Sequence, residues 1–289
     1  MTDMRYESPQ SIDVAVALLV AEGRNARVFA GGTDLLVQIK EELIEPTLLV
    51  DIKNISQIRA INIGPDDIRI GAAVTGAELG EHLQLKALWP GVVEAVELIG
   101  STQVQGRATI GGNLCNASPA ADSVPALVAA GAAVVIAGPQ GTREVPVEEI
   151  LKGPGQTSLT RGEFVTTIVL PKPRSRAGDA YLRFTPRTEM DIAVVGAGAA
   201  IVLNPDGSCS AARLALGAVA PTARQVTAAS SILFGNKLDE STLEAIANAA
   251  RETCSPIDDK RGTIEFRTQV AGVLACRAIK TAWQRAEET

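Results

Sequence analysis

Two stretches of the chain place adjacent glycines where main-chain chemistry is on offer. The first runs Phe29, Ala30, Gly31, Gly32, Thr33, Asp34, Leu35, Leu36; the second runs Thr109, Ile110, Gly111, Gly112, Asn113. Glycine tolerates positive φ and lacks the Cβ that would hold a ligand away from the backbone. Successive exposed N–H groups then form a concavity suited to phosphate. Thr33 adds a hydroxyl donor, and the Asn113 amide both donates and accepts. A single Gly-Gly is more simply a tight turn. Neither pair, however, lies in a two-residue hairpin. The second sits within residues 101–124, a stretch of small polar residues with little periodicity, the usual make-up of a binding loop. Taken together, the pairs read as two bends meeting around one phosphate-bearing ligand.

Other chemistry is thinly supplied. GAGAAI at residues 196–201 looks like a truncated dinucleotide fingerprint, but such a turn must leave a strand and open a helix, with an acid about 20 residues later. Here the run continues as AIVLNPDG and Asp206 arrives too early, so these small residues read as a place where a helix closely covers a sheet. The single histidine, His82, follows Glu81 on a predicted helix surface. Cys115, Cys209, Cys254 and Cys276 show no C-x-x-C pair, which excludes the usual zinc and iron–sulfur spacings. Cys115 adjoins the second glycine pair and could touch a bound cofactor, but reads first as a small buried residue. Arg183 and Arg187 read as solvated charges, and Asp191 as structural or, by a slight preference, as placed near the ligand. Any redox or group-transfer chemistry must come from an organic cofactor.

The elements that would position the glycines follow from patterning. SPQSIDVAVALLVAEG predicts a helix capped by Ser8 and ended by Gly23. ARVFA and TLLVDI read as buried strands, giving a small α/β lobe. Alternation on both sides of Gly64, Pro65, Asp66 and Asp67 predicts a hairpin. Thr75 opens a helix through GAELGEHLQLKA, and another spans residues 90–99. SVPALVAAG is helical, AAVVIAG a strand before a Gly-Pro-Gln-Gly turn, and EFVTTIVLP a strand ended by Pro171. Two β runs, residues 192–203 and 209–217, then flank an NPDG turn. Helices follow over TARQVTAASSIL, over residues 241–254 with Ser241 and Glu244 at capping-box spacing, and over residues 266–285. Strands before helices imply an α+β lobe with helices on one sheet face.

At 289 residues the chain is long enough for roughly two domains. It is 46% hydrophobic, 21% charged and only 3% aromatic, so the core is built from Ala, Val, Ile and Leu. The net charge of −6, with signs interspersed, excludes a nucleic-acid surface. Asp3, Arg5 and Glu7 interrupt any signal-like apolar run, and no apolar run is long enough to span a bilayer. A cytoplasmic protein without membrane insertion is expected.

AGGTDLL, ATIGGNLCNASPAADSVPAL, EFVTTIVLP and RFTPRTEMDIAVVGAG, in this order, together resemble the FAD-binding medium subunit of the xanthine dehydrogenase and carbon monoxide dehydrogenase family of molybdenum hydroxylases. The resemblance extends over almost the whole chain, to RGTIEFRTQVAGVLACRAI. It implies an α+β fold. A two-lobed FAD-binding domain of the PCMH/vanillyl-alcohol-oxidase type would occupy residues 1–54 and 55–175. A C-terminal domain of antiparallel sheet and helices would occupy residues 176–289. It also implies that Phe29 to Leu36 and Thr109 to Asn113 cradle the FAD diphosphate. Asp122, Val165 and Arg183 match further FAD-contacting positions, and Ile99 stands where some relatives place an aromatic ring against the isoalloxazine. Residues 188–193 correspond to a loop near the flavin. Carbon monoxide dehydrogenases are similar in the first motif but read A-G-G-H-S; this chain has Thr33 and Asp34, and with no histidine in either motif noncovalent FAD is implied. The implied role is electron transfer, with no catalytic side chain of its own. The molybdenum cofactor would lie on a large subunit and [2Fe–2S] clusters on a small one, in a dimer of heterotrimers. From the residues alone, a self-contained flavin oxidase or dehydrogenase and a non-redox nucleotide-binding module stay open.

Overall fold

The computed structural model describes residues 4–188 and 190–289. Asp3 and, within the 188–193 segment, Glu189 lie outside the described residues.

The chain begins with β1 (Arg5–Glu7), α1 (Ile12–Glu22), β2 (Ala26–Phe29), α2 (Leu35–Lys40) and β3 (Leu48–Asp51). The strands form a parallel sheet in the order β1-β3-β2. The central β3 is buried at all of its positions, the apolar Leu48, Leu49 and Val50 and the closing Asp51 alike. Sequence patterning misses β1, because an exposed edge strand of Arg-Tyr-Glu carries no hydrophobic signature. The cap of α1 is Ser11, which accepts from Val14 N, and not Ser8. The Ser8 hydroxyl instead accepts from Asn54 Nδ2 at 2.8 Å.

Next come β4 (Ile61–Ile63) and β5 (Asp67–Gly71), then six helices. These are α3 (Gly76–Glu81), α4 (Leu83–Leu88), α5 (Pro90–Glu97), α6 (Thr102–Gln105), α7 (Ile110–Cys115) and α8 (Ser123–Ala130). Strands β6 (Ala133–Gly138), β7 (Gly141–Pro146) and β10 (Phe164–Pro171) complete an antiparallel sheet ordered β4-β5-β10-β6-β7, and β8 (Leu151–Gly153) with β9 (Gln156–Thr157) forms a separate ribbon. Two expectations change here. The helix opened by the Thr75/Glu78 capping box breaks at His82, whose Nδ1 accepts from Leu85 N at 3.1 Å and so caps α4. His82 is therefore half-buried and structural, not a plain surface residue. Residues 101–124 are not one long loop either: α6, α7 and the start of α8 are cut from them.

The last part holds β11 (Ala177–Phe184), β12 (Val195–Leu203), β13 (Cys209–Gly217) and β14 (Arg224–Gln225), followed by α9 (Ala228–Leu233), α10 (Glu240–Thr253) and α11 (Ile264–Glu288). The sheet is antiparallel in the order β11-β12-β13-β14. Residues 192–194 stay outside the expected strand. TARQVTAASSIL yields β14 before a shortened α9, because Arg224 and Gln225 pair with β13. The capping box of α10 is Asp239/Thr242, not Ser241/Glu244. Ser241 Oγ donates to Asp239 Oδ1 at 2.9 Å.

The sheet is covered on both faces. Ala199, Ile201 and Leu214 join the core built with α10 and α11. Tyr181 and Ala215, in register with Gly198, belong to the core shared with α8 and the middle sheet. A Cβ on Gly198 would lie 2.5 Å from Pro125 O, and one on Gly178 would lie 2.3 Å from Ala282 O. The small residues of GAGAAI thus admit the covering helix α8, whose eight residues are all buried. The domain's own helices keep to one face, as expected; the opposite face is closed by the preceding lobe.

Candidate functional site

β2 hands the chain over at Phe29 to a segment that runs into the N-terminus of α2. Among the described residues, no acceptor meets the N–H groups of Gly31, Gly32, Thr33, Asp34 and Leu35. Gly32 takes φ of 75°, and a Cβ there would lie 2.4 Å from Phe29 Cε2. Gly31 is required for a different reason: its Cβ would lie 2.0 Å from Arg107 O. The first segment therefore rests directly on the chain leading into the second. The two glycine pairs meet.

The second pair is built otherwise than expected. Thr109 is the N-cap of α7, and Gly111 and Gly112 lie in its first turn with negative φ. Their amides are already engaged: Ile110 N donates to Val74 O at 3.2 Å, Gly111 N to Ala72 O at 3.1 Å and Gly112 N to Thr109 Oγ1 at 3.0 Å. Asn113 N donates to Thr109 O at 2.9 Å. The expected row of free amides exists at the first pair only. Gly111 is glycine because a Cβ would lie 2.6 Å from Ala72 Cβ and O, whereas a Cβ on Gly112 would crowd only the Thr109 side chain, at 2.7 Å from Oγ1. Thr109 keeps its hydroxyl proton and Asn113 its Nδ2 group for a ligand, since Asn113 Oδ1 accepts from Ser123 N at 3.3 Å and Ser123 Oγ at 2.6 Å.

Between the two segments lies a cleft of about 410 Å³. From the first it takes Ala30, Gly31, Gly32, Thr33, Asp34 and Leu35. From elsewhere it takes Ile99, Thr109, Gly111, Gly112, Asn113 and Val165. Five of the residues singled out in the sequence lie off its walls. The Phe29 ring packs behind Gly32, Leu36 faces outward on α2, and Ile110 is fully buried. Asp122 and Arg183 form an ion pair of 2.9 Å, with Tyr181 OH donating to Asp122 at 2.9 Å. Burial pushes the Asp122 carboxyl up to about 6 against the pull of Arg183 and Tyr181. This group touches the cleft only through the neighbouring Ser123–Asn113 bond.

Sequence reading missed several wall residues. Gln38 Nε2 donates to Asn116 Oδ1 at 3.1 Å, tying α2 to the end of α7 across the cleft. Glu163, the first residue of EFVTTIVLP, was within reach of the motif reading. The Arg143 hydrogen bonds at 2.8 and 3.0 Å and the Thr160 amide hold its carboxylate down to about 2. Cys115, singled out in the sequence as a small residue beside the second pair, also lines the wall, with a thiol that burial pushes up to about 12, so it stays protonated. Among the described residues, no group of three His, Cys, Asp or Glu side chains is arranged to hold a metal.

A cleft between two lobes, lined by residues with free main-chain N–H groups and by apolar Ile99 and Val165, has the make-up of a dinucleotide-binding site. Residues 2–173 match the FAD binding domain in molybdopterin dehydrogenase, and residues 180–282 match the CO dehydrogenase flavoprotein C-terminal domain. The chain is 34% identical over 281 residues to the carbon monoxide dehydrogenase medium chain of Hydrogenophaga pseudoflava, covering 97% of each. It is 32% identical over 266 residues to a putative xanthine dehydrogenase FAD-binding subunit of Escherichia coli (strain K12), covering 91% of each. Its fold superposes on a crystal structure of the Cu,Mo-CO dehydrogenase with a TM-score of 0.94 at 34% identity and on quinoline 2-oxidoreductase from Pseudomonas putida 86 with 0.90 at 30%, covering 98% of both chains in each case. The chain belongs to the family of FAD-binding medium subunits of molybdenum hydroxylases, and is an oxidoreductase subunit. Among the described residues no helix is long and apolar enough to cross a membrane.

Proposed function

We propose that the cleft holds FAD noncovalently, with its diphosphate on the free amides of Gly31, Gly32, Thr33, Asp34 and Leu35. The observation that carries this reading is that row of unpartnered N–H groups on residues that line a cleft, in a chain of this family. Main-chain donors suit a diphosphate because successive free N–H groups stabilise the anion without a side chain to order. The Thr109 hydroxyl and the Asn113 amide add donors from the facing wall. Ile99 and Val165 offer apolar contact to a ring system, aliphatic where an aromatic partner would stack. Cys115, held as a thiol, and the lack of histidine in both motifs leave no group to attach the flavin. Asp122 and Arg183 act one step back, through Ser123 and Asn113. The three-part division at residues 54 and 175 belongs to the same reading.

Bound FAD supplies the redox chemistry, exchanging electrons singly or in pairs. The chain serves as the electron-transfer component of a cytoplasmic complex. Its electrons come from [2Fe–2S] clusters on a small subunit and leave to an external acceptor. The molybdenum cofactor sits on a large subunit, and two heterotrimers pair. The test is purification of the chain alone and with its partners. The single chain is expected to show flavin absorption bleached by dithionite, to release FAD on acid precipitation and to hydroxylate nothing. With its partners it should co-purify with molybdenum and iron–sulfur polypeptides. Hydroxylation by the molybdenum-free single chain, or a chain that takes up no FAD, would overturn this reading.

A further inference from the structure

Against the glycine segment, and off the cleft wall, lies a chain of polar contacts that the cofactor reading does not use. Lys53, just beyond β3, donates from Nζ to the Ala30 carbonyl at 2.9 Å and to Asp51 Oδ1 at 2.7 Å. The same ammonium stands 4.1 Å from the centroid of the Phe29 ring. Asp51, only 4% exposed, accepts Lys53 N at 3.0 Å on Oδ1 and the Tyr6 hydroxyl on Oδ2. Burial works to raise the Asp51 carboxyl, but the Lys53 and Tyr6 hydrogen bonds outweigh it and keep it below the ordinary carboxylate range. Tyr6 in turn meets the Phe29 ring edge-on, with centroids 6.4 Å apart. Tyr6, Asp51, Lys53 and Phe29 thus form one unit beneath Ala30 and Gly32.

We propose that Lys53 is a positioning residue that locks the Ala30–Gly31 peptide with its N–H facing the cleft, and so sets the affinity for the diphosphate; this rests on the FAD reading of the cleft. In a trans peptide the C=O and the following N–H point in opposite directions, and no peptide bond among the described residues is cis. Fixing the Ala30 carbonyl on the rear side therefore fixes the Gly31 N–H on the front. Glycine on the far side of that peptide would otherwise let it rotate at little cost. A charge-assisted bond to the carbonyl also polarises the peptide and strengthens its N–H as a donor. Lys53 does not itself line the cleft and meets a wall residue by hydrogen bond only at the Ala30 carbonyl, so its effect on ligand passes through this peptide.

The test is titration of the apo chain with FAD and, separately, with riboflavin, which has the ring system but no phosphate. Lys53→Met is expected to weaken FAD binding by about tenfold or more, the scale of one oriented charge-assisted bond, while riboflavin binding stays as in wild type. Lys53→Arg, which can still reach the carbonyl with a cation, should recover part of the loss. Unchanged FAD affinity in Lys53→Met, or an equal loss for FAD and riboflavin, overturns the proposal. Should Lys53→Met not fold, Tyr6→Phe decides: removing the hydroxyl that anchors Asp51 should weaken FAD binding about threefold, and an unchanged affinity rejects the lock. Wild-type chain that binds no FAD would instead overturn the cofactor reading itself, so the two failures are told apart.

Discussion

Gly31→Ala and Gly112→Ala separate two reasons for a glycine at one site. At Gly31 the new Cβ would lie 2.0 Å from the Arg107 carbonyl, a backbone atom that moves only if the two segments part. The substitution is expected to lower the thermal midpoint by about 5 °C or more and to weaken FAD binding at least about tenfold, as overpacking against backbone does. At exposed Gly112 the Cβ would meet Thr109 Oγ1 at 2.7 Å, the end of a side chain that rotates. Alanine gains about 1 kcal/mol of helix propensity there and loses about as much if the Thr109 cap is displaced. Its midpoint should stay within about 2 °C of wild type; a thermal melt of both variants checks the contrast. The same residues show what was legible in sequence. Adjacent glycines announced a crowded, phosphate-friendly backbone, but not which pair would leave its amides free. That depended on Ala72 and Val74, distant in sequence, supplying carbonyls to Gly111 and Ile110, on Thr109 capping Gly112, and on no acceptor among the described residues meeting the amides of the first pair.

At the scale of elements, β11 meets the N-terminus of α5 through Asp179. This residue is 5% exposed; Oδ2 accepts from Val92 N at 3.0 Å, and Oδ1 has no partner among the described residues. Burial pushes the carboxyl up to about 7, with the Gly91 and Val92 amides and the Arg285 guanidinium opposing and Glu94 adding to the rise. Because the folded value lies above the unfolded one of about 3.9, the protonated acid stabilises the fold fully below about pH 4. That contribution is lost as pH rises through about 7. Wild type should therefore lose stability between pH 5 and pH 8 relative to Asp179→Asn, by up to about 1.4 kcal/mol per pH unit. Thermal midpoints of both proteins across that range measure it, and parallel curves would reject the assignment. Elements themselves were largely readable, since long apolar runs bounded by Gly, Pro and Asp mark the strands and the buried α8. Caps were less so. Ser8 and Ser11, or Asp239 and Ser241, are equally good caps by type, and the outcome turned on where Asn54 and Thr242 lie. β1 and β14 were hidden because short edge strands owe their existence to a neighbour's open edge and not to their own residues.

The whole molecule is two glycine segments brought together by two lobes, with a third part closing one of them from behind. The architecture was visible because four motifs fell in a family's order over nearly the full chain. The covering of the third sheet by α8 was foreshadowed by GAGAAI alone. The function proposed for this arrangement requires that a single row of free amides, Gly31 to Leu35, take up the cofactor's diphosphate, while the amides of α7 stay with the protein. Amide hydrogen exchange of the chain with and without FAD measures this most directly. The peptide covering residues 30–36 should exchange quickly in the apo chain and become strongly protected with FAD, while that covering residues 110–114 is protected in both states and changes little. Fast exchange of residues 30–36 at saturating FAD, with protection gained elsewhere, would contradict the account.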